Sequence, residues 1–125
     1  MFVVNEDGSI FLTRGDVAQL KVSAKSSETT QYEFQTGDIV RLTVMQRKQC
    51  GQIVLQIDTE VEVPTEEVII RLEKEDTKFG ELINKPVDYW YEIEINPETA
   101  PQTIVGYDAD GPKIFRLFPE GGTDV

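Results

Sequence analysis

Apolar and polar residues alternate one by one through much of this 125-residue chain, and that period leaves few folds open. In "DVAQLKVSA", Ala18, Leu20, Val22 and Ala24 share one parity and Gln19, Lys21 and Ser23 the other. "DIVRLTVM" sets Val40, Leu42 and Val44 against Arg41 and Thr43, and "EVIIRLE" sets Val68, Ile70 and Leu72 against Arg71 and Glu73. "VDYWYEIEI" puts Tyr89, Tyr91, Ile93 and Ile95 opposite Asp88, Trp90, Glu92 and Glu94. A helix repeats every 3.6 residues, whereas a strand with one dry and one wet face repeats every two. A slip of one residue would turn every apolar side chain into water. The pattern therefore names a core: Leu20, Val22, Val40, Leu42, Val44, Val68, Ile70, Leu72, Tyr91 and Ile93.

Residues 52–58, "QIVLQID", alternate less cleanly, because Val54 falls on the polar parity. Turn-forming clusters separate the runs: "NEDGS", "SSETT", "TGD", "DADGPK" and "PEGG". Short strands at near-regular spacing with turns between them predict an all-β sandwich or barrel, an antiparallel sandwich with at least six strands and no long helix. Asp76 and Thr77 in "EKEDTKFG" are placed to cap one helical turn ending near Gly80. "SAKSSETTQYEF" reads as a mobile loop. The expected organisation is a single domain: a lead-in over 1–8, the sandwich over 9–119 and a flexible tail over 120–125.

A chain of this length buries roughly two-thirds of its unfolded surface, enough for one core. No apolar run reaches the roughly 20 residues of a membrane helix, and the start lacks the basic and cleavage-site features of a secretory leader. The formal charge of −11, from 23 acidic and 12 basic residues, argues against nucleic acid and anionic membranes as partners. It points instead to proteins with basic surfaces or to neutral glycans.

Candidate chemical sites are few. Arg14-Gly15-Asp16 matches an adhesion tripeptide, but it sits between two alternating stretches, where Gly supplies a bend and Asp an acceptor for nearby N–H groups. Thr36-Gly37-Asp38 repeats the device, so both read as corners. Asp108-x-Asp110-Gly111 resembles the start of a calcium loop, yet "PKIFRLF" follows without a distal glutamate, and a hairpin turn is the reading. Cys50 stands near Arg47 and Lys48, which favour a thiolate, but the chain has no histidine to serve as its base. No catalytic, metal or cofactor residues are assigned, and no cofactor is expected. Acidic pairs are plentiful without a spacing that marks one for glycosidase work. The aromatic cluster "DYWYE" is the informative one: parity turns Trp90 outward beside Glu92 and Glu94, a candidate interface anchor or sugar platform.

Three segments and a closing hairpin form an ordered series: "FLTRGDVAQLKVSA", "FQTGDIVRLTVMQRK", "EVIIRLEKEDTKFGELINKPVDYWYEIEI" and "YDADGPKIFRLFPEGG". This series resembles the amino-terminal immunoglobulin-like domain of phage baseplate upper proteins, over roughly residues 9–120. The resemblance implies an immunoglobulin-like β-sandwich and a structural, non-enzymatic role in a phage or prophage tail baseplate. The partners it implies are other tail and baseplate proteins, with self-association into a homo-oligomer as a further contact. The implied location is the virion, after synthesis in the bacterial cytoplasm. A carbohydrate-binding immunoglobulin-like module using the strand around Trp90 is the alternative.

Overall fold

Period-two alternation becomes strand wherever it was clearest. The computed structural model describes residues 2–25, 29–46, 52–79, 85–106 and 111–120, which form strands and, among the described residues, no helix. The strands are β1 (Phe2–Val4), β2 (Ile10–Thr13), β3 (Ala18–Val22), β4 (Ile39–Gln46), β5 (Ile53–Glu60), β6 (Val68–Leu72), β7 (Val87–Ile95), β8 (Gln102–Val105) and β9 (Lys113–Phe118). They make a larger sheet in the order β1-β2-β9-β7-β4-β5, with β8 also on β7, and a ribbon of β3 and β6. Along β7, β9 pairs with residues 87–91 and β8 with 93–95, so the two occupy successive stretches of its length.

One buried cluster draws on both sheets, as a sandwich requires. All ten core residues named from parity are in it, and Leu42, Val40, Val44 and Ile70 are wholly buried. Ile10 and Leu12 of β2, Phe115 and Leu117 of β9, and the loop residues Phe34 and Val61 complete it. On the ribbon, Gln19, Lys21, Ile69 and Arg71 face water.

The structure adds detail to three expectations. The sheet is mixed rather than purely antiparallel, because β2 runs parallel to β9. Parallel neighbours need a long connection, and here nearly the whole domain lies between the two strands. The lead-in over 1–8 holds β1, which pairs with β2 through Phe2↔Leu12 and Val4↔Ile10. The loop over 23–34 is pinned at its far end. Phe34 is fully buried and exchanges backbone bonds of 2.7 and 3.1 Å with Thr65, while Tyr32 packs edge-on against it. Residues 26–28 of that loop lie outside the described residues.

The irregularity at Val54 has a physical counterpart. Val44 pairs with Leu55 and Met45 with Ile53, so the ladder skips Val54 in a β-bulge. An extra residue in one strand breaks the alternation of faces at that point.

Candidate interaction surface

β7 lies inside the larger sheet, paired on both sides, and its two parities differ in burial. Tyr89, Tyr91, Ile93 and Ile95 are buried in the core, whereas Asp88, Trp90, Glu92 and Glu94 are half-buried on the opposite, outer face. Residues directly opposite in a ladder share a face. Trp90 is thus flanked by Met45 of β4 and Ile114 of β9, and Met45 by Ile53 of β5, which is 50% exposed. An apolar row therefore crosses the outer face from Ile53 to Ile114. The indole Nε1 of Trp90 is buried and has no hydrogen-bond partner among the described residues.

Beside that row, Arg116 holds Asp88 through bonds of 2.6 and 3.2 Å and lies 5.2 Å from the centre of the Phe11 ring. Phe11 packs edge-on against Phe118 at 5.5 Å, and Val3, opposite Phe11, is exposed. Arg41 binds Asp58 at 2.7 and 2.9 Å and Glu98 at 2.7 Å. Glu92 and Glu94 form no ion pair or hydrogen bond among the described residues. Partial burial pushes the Glu92 carboxyl up, and the neighbouring Glu94 adds to the effect. The three residues expected to form a surface, Trp90, Glu92 and Glu94, do share one face. The sequence does not disclose that Met45, Ile53 and Ile114 join Trp90, because that depends on which strands lie side by side.

The Arg-Gly-Asp segment is a corner tied down from several sides. Arg14 Nη1 bonds Glu120 at 3.0 Å, and Nη2 donates to the Lys78 carbonyl at 3.2 Å. Gly15, at φ +88°, donates its N–H to the Thr77 hydroxyl at 2.9 Å. That hydroxyl in turn lies within donating distance of the carbonyls of Asp16 (2.9 Å) and Lys74 (3.2 Å). A Cβ at Gly15 would stand 3.1 Å from Lys78 Cε in a backbone region that L-residues rarely enter. An adhesive loop needs its arginine free to reach a receptor; this one is spent inside the fold. Thr77, expected to help cap a helical turn, is instead a fully buried post for this corner, and 74–77 form a turn. The end of the expected helical turn, Gly80, lies outside the described residues.

The second corner works through its acid. Asp38 accepts the Gln35 N–H and the Tyr32 hydroxyl at 2.9 Å each, and the Asn96 amide at 3.1 Å. Burial pushes its carboxyl up, but these bonds together outweigh burial and hold it below the ordinary carboxylate range. Asn96 also accepts the Ile39 N–H, so the corner clamps the start of β4 to the end of β7. Cys50 with Arg47 and Lys48, and Asp108 and Asp110, lie outside the described residues. Among the described residues, no group of three acids, cysteines or histidines is placed to hold a metal ion.

Among the described residues, two concavities lack an acid–base pair. One, lined by Gln46, Val87, Asp88, Tyr89, Arg116 and Phe118, contains a carboxylate already bound to its own arginine. Another, lined by Ala24, Lys25, Tyr32, Asn96, Gln102 and Ile104 among others, has no carboxylate among its described lining residues. No protein-family model matches the chain, and no curated protein or solved structure matches it.

Proposed function

We propose that this chain is a non-enzymatic structural module of a phage or prophage tail baseplate, docking to other tail proteins through the outer face of its larger sheet. The observation that carries the contact role is the apolar row of Ile53, Met45, Trp90 and Ile114, with the unpaired Glu92 and Glu94 on the same face. A partly exposed aromatic with acids beside it is the composition of an interface anchor for a basic partner. The tail assignment rests on the ordered series of corners and strands in the sequence. Strand order supports the immunoglobulin-like reading. β2-β9-β7-β4-β5 facing β3-β6 corresponds to the two sheets of a variable-type immunoglobulin domain with fewer strands in the second sheet. The absence of histidine removes the commonest general base, consistent with a role by contact alone.

The test uses purified tail particles. Wild-type chain should bind them, and Trp90→Ala should reduce binding at least tenfold with an unchanged melting temperature. Equal binding by the variant removes the outer face from the role, and failure of the wild type to bind removes the tail assignment. The carbohydrate reading is the weaker one because the Trp90 indole N–H is buried and so turned away from any sugar hydroxyl. Retention of the wild type, but not Trp90→Ala, on a polysaccharide column would replace the tail reading with that one.

A further inference from the structure

We propose that the free edge of β5 receives an extended segment of a partner protein carrying Lys or Arg at alternate positions. The proposal rests on the reading of the chain as a contact module, and it concerns the backbone edge of the sheet rather than the apolar row on its outer face, to which Ile53 of β5 also belongs. The larger sheet ends in β1 on one side and β5 on the other. β1 is 3 residues long, whereas β5 is 8 residues long and pairs along one side with β4. Among the described residues no strand lies on its other side.

A row of unpaired backbone N–H and C=O groups of that length invites another strand, and natural edges usually discourage it with charged side chains, lysine above all, with proline, with a bulge or by brevity. β5, "IVLQIDTE", has neither lysine nor proline, and its bulge at Val54 leaves residues 55–60 in regular register. Its two faces state what would fit. Leu55, Ile57 and Thr59 are half-buried on the core parity, so an added strand places apolar residues beside them. Gln56, Asp58 and Glu60 are exposed on the outer parity; Asp58 is bonded to Arg41, so the acidity that the edge offers lies in Glu60 and in the exposed Glu62, Glu66 and Glu67 that follow. Opposite charges directly across a ladder stabilise it, and like charges oppose it. A second copy would bring its own Glu60 and a further charge of −11, so the edge selects a basic strand. Backbone bonding with side-chain selection at alternate positions is the mode of strand addition.

The probe is a synthetic peptide of about eight residues, the usual span of a strand, alternating valine with lysine. Added to the full chain, it should slow amide hydrogen exchange within residues 53–60. A valine–glutamate counterpart should bind at least tenfold more weakly, and so should the lysine peptide N-methylated at alternate backbone nitrogens. The double variant Gln56→Lys, Glu60→Lys should invert the charge preference without lowering the melting temperature, and Trp90→Ala should leave peptide affinity unchanged. Exchange unaltered in β5, or equal binding of the N-methylated peptide, overturns strand addition. Concentration-dependent protection of β5 without peptide makes the occupant a second copy and overturns the basic partner. Loss of tail docking in Trp90→Ala alongside an unresponsive β5 would sink this proposal alone. Intact docking in that variant alongside a protected β5 would sink only the outer-face reading.

Discussion

Thr77 carries more structural responsibility than a lone buried hydroxyl suggests. It accepts the Gly15 N–H and donates toward the Asp16 and Lys74 carbonyls from a site with no solvent exposure. Thr77→Val keeps the shape but leaves buried backbone groups unpaired, a loss of about 1–3 kcal/mol. Denaturant melts should therefore show a clear fall in midpoint with an unchanged slope. Asp38 supplies a pH dependence. Its carboxyl is held below its ordinary value, so its contribution is fully present at neutral pH and fades as pH falls through the folded-state value. The stability advantage of wild type over Asp38→Asn should hold from pH 7 down to about 4 and shrink below that, measured by thermal melts across pH. Glu92 works in the opposite sense. Its carboxyl is raised, so protonation relieves a cost as acidity rises, which partly offsets the loss at Asp38.

Strand parity can be tested on single elements. Leu42 lies on β4, between β5 and β7, with no exposed surface. Truncation to alanine should cost about 2–5 kcal/mol in chemical denaturation, since surrounding β-sheet cannot collapse fully into the cavity. Ile69 is as apolar but stands on the wet parity of β6, 44% exposed. Ile69→Ala should change stability by no more than about 0.5 kcal/mol, the usual scale for surface substitutions. A reversal of these two outcomes would place the wrong face of the strands inward. Tyr91 links elements: its ring is in the core and its hydroxyl donates to the Gly8 carbonyl, tying β7 to the turn between β1 and β2. Burial pushes that hydroxyl up to about 12. Tyr91→Phe should cost about 0.5–1.5 kcal/mol, with hydrogen exchange accelerated most in residues 2–12.

At the scale of the whole molecule, charge dominates. A formal −11 on 125 residues is self-repulsive, and the described ion pairs are largely at the surface, where each contributes little. Screening relieves long-range repulsion over roughly 10 Å at 0.1 M salt and weakens these pairs only modestly. Raising sodium chloride from about 0.05 to 0.5 M, a range over which that screening length shortens severalfold, should therefore raise the melting temperature. A fall would mean that the Arg41 and Arg116 pairs outweigh the net repulsion. The same charge favours basic partners over further copies of the chain, which is why both proposed surfaces call for Lys or Arg opposite them.

Parity along the strands is a local property, and from it the sequence alone determined the all-β class and the dry faces of β3, β4, β6 and β7, while the Gly-Asp pairs marked the corners at Gly15 and Gly37. Even the break at Val54 was visible before the bulge that explains it. What the sequence could not decide is adjacency. Nothing local to β2 says that it lies parallel to β9, and nothing local to Trp90 says that Met45 and Ile114 stand beside it. Phe34 was missed because it lies in a polar loop with no period, and Val61 because it follows the end of β5; both join the shared core. Thr77 looked like a helix cap because capping is a short-range preference, whereas its actual partners at Gly15 and Asp16 lie some sixty residues upstream. Alternation is fixed by backbone geometry within one strand, but strand order is settled by closing a shared core, and only the folded chain contains that information.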